Sequence, residues 1–292
     1  MDDTIKISKS VPEQIMPDSV RLALQSQQNP QSVGAREQIK YPCEPIALPS
    51  QGYFYDVSNP LSNGVVDIKY MTAKEEDILT SQNLIKKGVV LERLLESLIV
   101  TPGVKLKDIL IGDKNALFIA ARRLAYGDNY GPVEITCKKC GTENKKTIDL
   151  SVVHNQDFDF SKFERGTNIF QYSLPVSKKV LSYKLLTHDD EAAIEREIES
   201  LSKINKTGAS SEITTRLKRM ILSVDGNSER AVVNKFVDTE FIAKDSLAFR
   251  TYVRDNTPNV DTSYTFICDE CSHEEVIDIP IGVSFFWPNA RV

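Results

Sequence analysis

Two Cys-x-x-Cys pairs, Cys137–Cys140 and Cys268–Cys271, constrain this chain more than any other feature. Val133-Glu134-Ile135-Thr136 precedes the first pair and Lys145-Lys146-Thr147-Ile148 follows it; Tyr264-Thr265-Phe266-Ile267 and Glu275-Val276-Ile277 flank the second. Each unit therefore reads as strand, tight turn, returning strand. The two-residue spacing aims both sulfurs of a turn at one point. A small residue after the second cysteine (Gly141, Ser272) lets backbone amides approach the thiolates. Two such knuckles supply the four-thiolate, tetrahedral donor set of a structural Zn²⁺, so the pattern predicts one zinc per chain on Cys137, Cys140, Cys268 and Cys271. Redox pairs, two local disulfides and an iron site are the competing readings. A redox pair usually opens a helix, which lowers its thiol pKa, and strand-forming flanks weigh against that.

A zinc ribbon normally joins its knuckles by a short loop, yet 127 residues separate Cys140 from Cys268. Internal repetition explains the gap. Val66-Asp67-Ile68-Lys69-Tyr70-Met71-Thr72-Ala73-Lys74-Glu75 is echoed by Leu181-Ser182-Tyr183-Lys184-Leu185-Leu186-Thr187-His188-Asp189-Asp190, each a strand ending in a Thr cap with an acid three residues on. The first is a capping box, in which the Thr hydroxyl and Glu75 satisfy free N–H groups reciprocally. Asp113 to Arg122 aligns with Asp245 to Arg254 at an offset of 132, and the cysteines recur at 131. The sequence thus predicts an α+β protein of two diverged tandem repeats, 41–155 and 156–292, each giving half a metal site across a pseudo-two-fold axis. Apolar spacing predicts helices from Glu75 to Ile85, from Val89 to Ile99 with Leu91, Leu94, Leu95 and Leu98 on one face, and from an Asp113 cap to about Tyr126. In the second copy it predicts helices from Glu191 to Ile204 and Ser211 to Leu222.

Residues 1–40 differ from the rest: Gln25, Gln27, Gln28, Gln31 and Gln38 are mixed with Ser, Asn and Pro. Such a segment reads as an arm, either disordered or docking on a partner through Val20, Leu22 and Leu24. Phe285-Phe286-Trp287 places three aromatics near the other end, as core packing or as a partner-binding plug. Cys43 is expected as a buried apolar filler. The knuckles carry opposite charge: Lys138, Lys139, Lys145 and Lys146 against Asp269, Glu270, Glu274 and Glu275. Such charges would help the halves pair.

Several function classes drop out. A net charge of −5 disfavours a general nucleic-acid binder, and no apolar run approaches the length that spans a bilayer. Met1-Asp2-Asp3-Thr4 lacks a secretion signal, so synthesis in the cytoplasm is expected. His154, His188 and His273 lie on unrelated segments, and no P-loop, GxGxxG or GxSxG motif occurs. A zinc held by four thiolates has no open position for substrate, so no enzymatic activity is expected.

Leu48-Pro49-Ser50 with Gly52, Met71-Thr72 before an acidic helix, and Tyr126-Gly127 before a CxxC together resemble a phage family. So do Asp245-Ser246 with Phe249-Arg250, the second CxxC and Phe285-Phe286-Trp287-Pro288. The family is the baseplate hub subunits, or hub assembly chaperones, of T-even-like contractile-tailed bacteriophages, and the resemblance covers roughly residues 45 to 288. It implies a non-enzymatic protein of the virion tail baseplate, or of its assembly in the host cytoplasm, contacting other hub and tail proteins. A zinc-ribbon factor acting on nucleic acid or transcription is the alternative, with Arg122-Arg123 and Arg216, Lys218 and Arg219 as its cations.

Overall fold

The computed structural model describes residues 42–204 and 211–286, within one compact unit spanning Tyr41–Val292. Val20, Leu22, Leu24 and Trp287 lie outside the described residues. The chain opens with an antiparallel pair, β1 (Cys43–Ala47) and β2 (Val65–Lys69), in register from Cys43 opposite Lys69 to Ala47 opposite Val65. Gly64, at φ +73°, makes the turn into β2, a backbone region that costs glycine nothing. Helices α1 (Ala73–Thr80), α2 (Gln82–Lys86), α3 (Val90–Leu98) and α4 (Ile111–Tyr126) follow, then the hairpin β3 (Asn129–Thr136) and β4 (Glu143–Asp149).

The same kinds of element then recur. Strands β5 (Phe170–Ser173) and β6 (Val180–Tyr183) pair antiparallel, and α5 (His188–Ile204) and α6 (Glu212–Met220) follow. Strand β7 (Ile221–Val224) adds a third strand beside β6. Helix α7 (Arg230–Lys235) runs into a π-turn, α8 (Ala243–Asp255) comes next, and the hairpin β8 (Ser263–Ile267) and β9 (Glu274–Asp278) closes the order. The architecture is mixed helix and sheet, as expected.

Local chemistry explains the helix starts. Glu75 Oε2 accepts from Thr72 N–H at 3.0 Å, closing the capping box, while Lys69 Nζ reaches Glu75 Oε1 at 2.7 Å. Asp190 repeats this: it accepts from Thr187 N–H at 3.2 Å and from Lys184 Nζ at 2.8 Å. Each lysine ends or follows the strand before the helix it anchors. The apolar faces then bury Leu94, Leu95 and Leu98 of α3, Val66 and Ile68 of β2, and Leu117 of α4. At about 1.5–3 kcal/mol per fully buried side chain, this face is what makes short helices stable. Tyr183 and Phe249, edge to face at 5.2 Å, extend the same core through the second half.

The first half meets the second on backbone. Ile111 N–H donates to Leu186 C=O at 3.1 Å and His188 N–H to Ile109 C=O at 2.8 Å, so α4 and α5 start beside each other. A Cβ added to Gly112 would lie 2.0 Å from the carbonyl oxygen of Pro258, so only glycine permits this approach.

Some expectations require correction. Asp113 and Asp245 are not helix caps: Leu110 and Ile242 hold those positions, and both aspartates lie inside the first turn. The helix expected over Glu75–Ile85 breaks at Ser81 into two short ones. The end of the helix expected to reach Leu222 is strand β7, whose Ile221 and Val224 are buried against the sheet. Cys43 is half-buried, not a core filler. Phe285 and Phe286 are 0% and 1% exposed. They pack on Tyr130 and Phe118 with ring centroids 4.9 and 5.9 Å apart, so these two side chains belong to the chain's own core and are closed to a partner.

Candidate metal centre

Both CxxC segments are turns at the tips of β-hairpins, built by the same bonds. Cys137 N–H donates to Thr142 C=O at 3.0 Å and Gly141 N–H to Cys137 C=O at 2.9 Å; Cys268 N–H donates to His273 C=O at 2.9 Å and Ser272 N–H to Cys268 C=O at 3.0 Å. Gly141 and Ser272 take positive φ, +76° and +53°. The residue after the second cysteine turns left-handed to bring its amide back to the first cysteine's carbonyl, a conformation that costs glycine nothing and strains serine.

The hairpins face one another across a small core of their own, in which Phe266 is fully buried with Ile135, Tyr264 and Ile277 packed around it. This packing brings Cys137, Cys140, Cys268 and Cys271 together, with all four sulfurs within 4.8 Å of one another. Sγ of Cys137 lies 3.7 Å from that of Cys271, and Cys140 Sγ 3.7 Å from Cys268 Sγ. One member of each pair is buried, Cys137 and Cys268. N–H bonds from Cys271 and Glu270 and the Asn144 amide favour the Cys268 thiolate against burial and hold its pKa down to about 6. At Cys271 the His273 N–H also favours the thiolate, but burial and the neighbouring sulfurs outweigh it and push the pKa up to about 12. Four sulfurs this close do not hold four negative charges without a cation among them, and the group could hold a metal ion.

Cross-hairpin polar contacts are reciprocal. Asn144, four residues after Cys140, accepts the N–H of Asp269 at 2.8 Å. Glu275, four residues after Cys271, takes the ammonium of Lys138. Asp269 and Lys138 each follow the first cysteine of their own turn. Lys146 also pairs with Asp269, whereas Lys145 pairs within its own hairpin with Glu134 at 3.4 Å. The expected opposite charges thus meet at two points. Asn144, 4% exposed, was missed in the sequence. Its signal is a polar residue at an inward position of an alternating strand.

A second polar node lies at the start of α4. Asp113 accepts from Ser50 N–H at 2.9 Å, Ser50 Oγ at 2.6 Å and Tyr55 Oη at 2.6 Å. Burial nonetheless raises its pKa. Asp245 of α8 accepts from Val176 N–H at 2.8 Å and Ser177 N–H at 2.9 Å. Both loops held in this way begin Leu-Pro, at Leu48-Pro49 and Leu174-Pro175, a likeness the sequence reading passed over.

With this geometry in view, the family described as T4 bacteriophage base plate protein matches the chain over residues 53–287. The chain belongs to this family. It is a phage baseplate protein, and the match spans both hairpins and everything between them. No curated protein and no solved structure gives a significant match. No described helix of this baseplate protein is long and apolar enough to cross a membrane.

The cations considered for nucleic acid are engaged elsewhere. Arg122 is 1% exposed and donates to the carbonyls of Phe285, Gly127 and Asn129. Lys218 pairs with Asp238 at 2.7 Å and Arg219 with Asp190 at 2.8 Å.

Proposed function

We propose that this baseplate protein is a structural and assembly component of the tail hub, acting through contacts with other hub and tail proteins, with one structural Zn²⁺ joining two tandem repeats. The family match across 53–287 carries the reading. The donor set supports the metal. A tetrahedron of sulfurs about 2.3 Å from a central zinc has edges of about 3.8 Å. Two of the cross-hairpin separations are 3.7 Å, and all the sulfurs lie within 4.8 Å of one another. Four thiolates in this arrangement favour Zn²⁺ over harder ions. Cys137, Cys140, Cys268 and Cys271 would hold it, and its contribution would be cohesion between the halves.

The recurrence of β-pair, helices, aspartate-anchored helix and knuckle, with reciprocal contacts at the metal centre, supports a duplication into repeats 41–155 and 156–292. In this reading the two halves meet as a homodimer would, by an isologous interface within one chain. In this reading Val20, Leu22, Leu24 and Trp287, outside the described residues, are the candidates for docking.

Depletion of the protein in infected cells, with electron microscopy of the lysate, tests the hub role. Free heads without tails are expected; normal contractile tails with complete baseplates would end the reading. Metal analysis of purified protein tests the site, at about one zinc per chain.

A further inference from the structure

The outward faces of the two hairpins differ in a way their inner faces do not. On the first hairpin, Glu134 and Lys145 lie opposite one another and neutralise each other at 3.4 Å, beside Thr136 and Glu143. On the second, the cross-strand pairs Thr265–Val276 and Ile267–Glu274 point outward, with Asp278 at the far end. Val276 is 66% exposed and Ile267 52%. No cation lies among these positions, and the Glu274 side chain has no ion pair or hydrogen bond among the described residues. Two of the acids on this knuckle, Asp269 and Glu275, are used in binding the first hairpin. Glu274 and Asp278 are not, and they flank the aliphatic strip about 13 Å apart along β9.

We propose that the outward face of β8–β9 is a docking surface for another baseplate protein that presents an apolar strip flanked by lysine or arginine. This deepens the hub reading and rests on it. Charge decides between occupants. A second copy meeting the same face would set Glu274 and Asp278 against their equals, and nucleic acid or an anionic membrane would be repelled likewise. Among the described residues the Asp278 carboxylate accepts only from the Thr262 hydroxyl, at 3.4 Å, so a cationic rim around an apolar centre satisfies both the exposed Val276 and Ile267 and two carboxylates that have no cation.

The test uses the full chain supplied in trans to infected cells lacking it. The double reversal Glu274→Lys with Asp278→Lys is expected to lower phage yield at least about tenfold, with zinc content and melting midpoint unchanged. The equal reversal on the first hairpin, Glu134→Lys with Glu143→Lys, is expected to change yield by less than about threefold. A photo-cross-linking residue at position 276 of the otherwise native chain is expected to capture a baseplate protein at a surface rich in lysine or arginine. Yields equal for both reversals, or a cross-link to a second copy, to an acidic surface or to nothing, would overturn the proposal. If that happens while depletion still abolishes tails, the docking surface is wrong and the hub reading stands. Normal tails on depletion would instead remove both.

Discussion

The two halves solve the same problem with different residues. Each must fix the start of a long helix against the loop that precedes its second strand, and each uses an aspartate in the first helical turn. In the first half Asp113 is sealed, taking two hydroxyls and one N–H. In the second, Asp245 is buried just as fully and takes two N–H groups, from Val176 and Ser177. The carboxylates respond in opposite directions. Burial raises Asp113, whereas at Asp245 the donated bonds of Ser177 and Val176 outweigh burial and lower its pKa. The lesson is that two equally buried carboxylates at the same place in a helix titrate in opposite directions when their donors differ.

The largest effect should show the halves behaving alike. Cys140→Ser and Cys268→Ser, one in each hairpin, should both reduce bound zinc from about one per chain to below about 0.2 and give the deepest falls in melting midpoint. A site that survives loss of either hairpin's thiol would break the symmetry. Next, Gly112→Ala drives a methyl group into the Pro258 carbonyl and should cost about 3 kcal/mol in denaturant unfolding. Its counterpart Lys244 is exposed, and Lys244→Ala should change stability by less than about 0.5 kcal/mol. Asp113→Ala, which strands Ser50 and Tyr55 without their acceptor, should cost about 3 kcal/mol, and Asp245→Ala should cost less. Equal losses would show that the three donors at Asp113 and the two at Asp245 carry the same weight.

The helix-capping acids should titrate in parallel. Burial alone would raise Glu75, but bonds from Lys69, Thr72 and Ser97 outweigh it and hold the pKa down to about 2. At Asp190 burial is likewise outweighed, by Lys184, Thr187 and Arg219, and the pKa is lowered. A depressed carboxylate stabilises the fold above its unfolded pKa and loses that contribution as pH falls toward its folded one. The stability advantage of the parent over Glu75→Gln and Asp190→Asn should therefore be full at pH 7 and shrink below about pH 5, for Glu75 not vanishing until about pH 2. An advantage independent of pH would separate these acids from the capping role. The smallest contrast lies at the knuckles. Gly141→Ser should cost about 1 kcal/mol, because its φ is left-handed although a Cβ there meets nothing within 4 Å. Ser272→Gly should gain up to about 1 kcal/mol for the same reason.

Much of this was legible because it is local. A Thr three residues before an acid, a 3.6-residue apolar period and a two-residue cysteine spacing each act within a few residues. The juxtaposition of the four cysteines followed from spacing and repetition, and the four sulfurs do meet. What failed depends on partners distant in sequence. Asp113 reads as a cap until Ser50 and Tyr55 arrive from more than 50 residues away. Strand β7 reads as the end of a helix because Ile221-Leu222 continues an apolar run, and only β6 makes it a strand. For Phe285 and Phe286 the sequence leaves core packing and a partner-binding plug both open, and Phe118 and Tyr130, distant in sequence, enclose them. Strand β5, four residues long, has too little pattern to declare itself.

The contact of Gly112 with Pro258 has a mechanical side. Backbone abuts backbone there with no side chain to yield, so the joint is stiff under compression. Around it Ile111 and His188 donate two backbone hydrogen bonds, Lys114 pairs with Glu191, and Phe54 packs on Phe163 and Phe170 in a core that both halves share. A body jointed in this way passes a push from one half to the other without first having to compress a layer of side chains at that point.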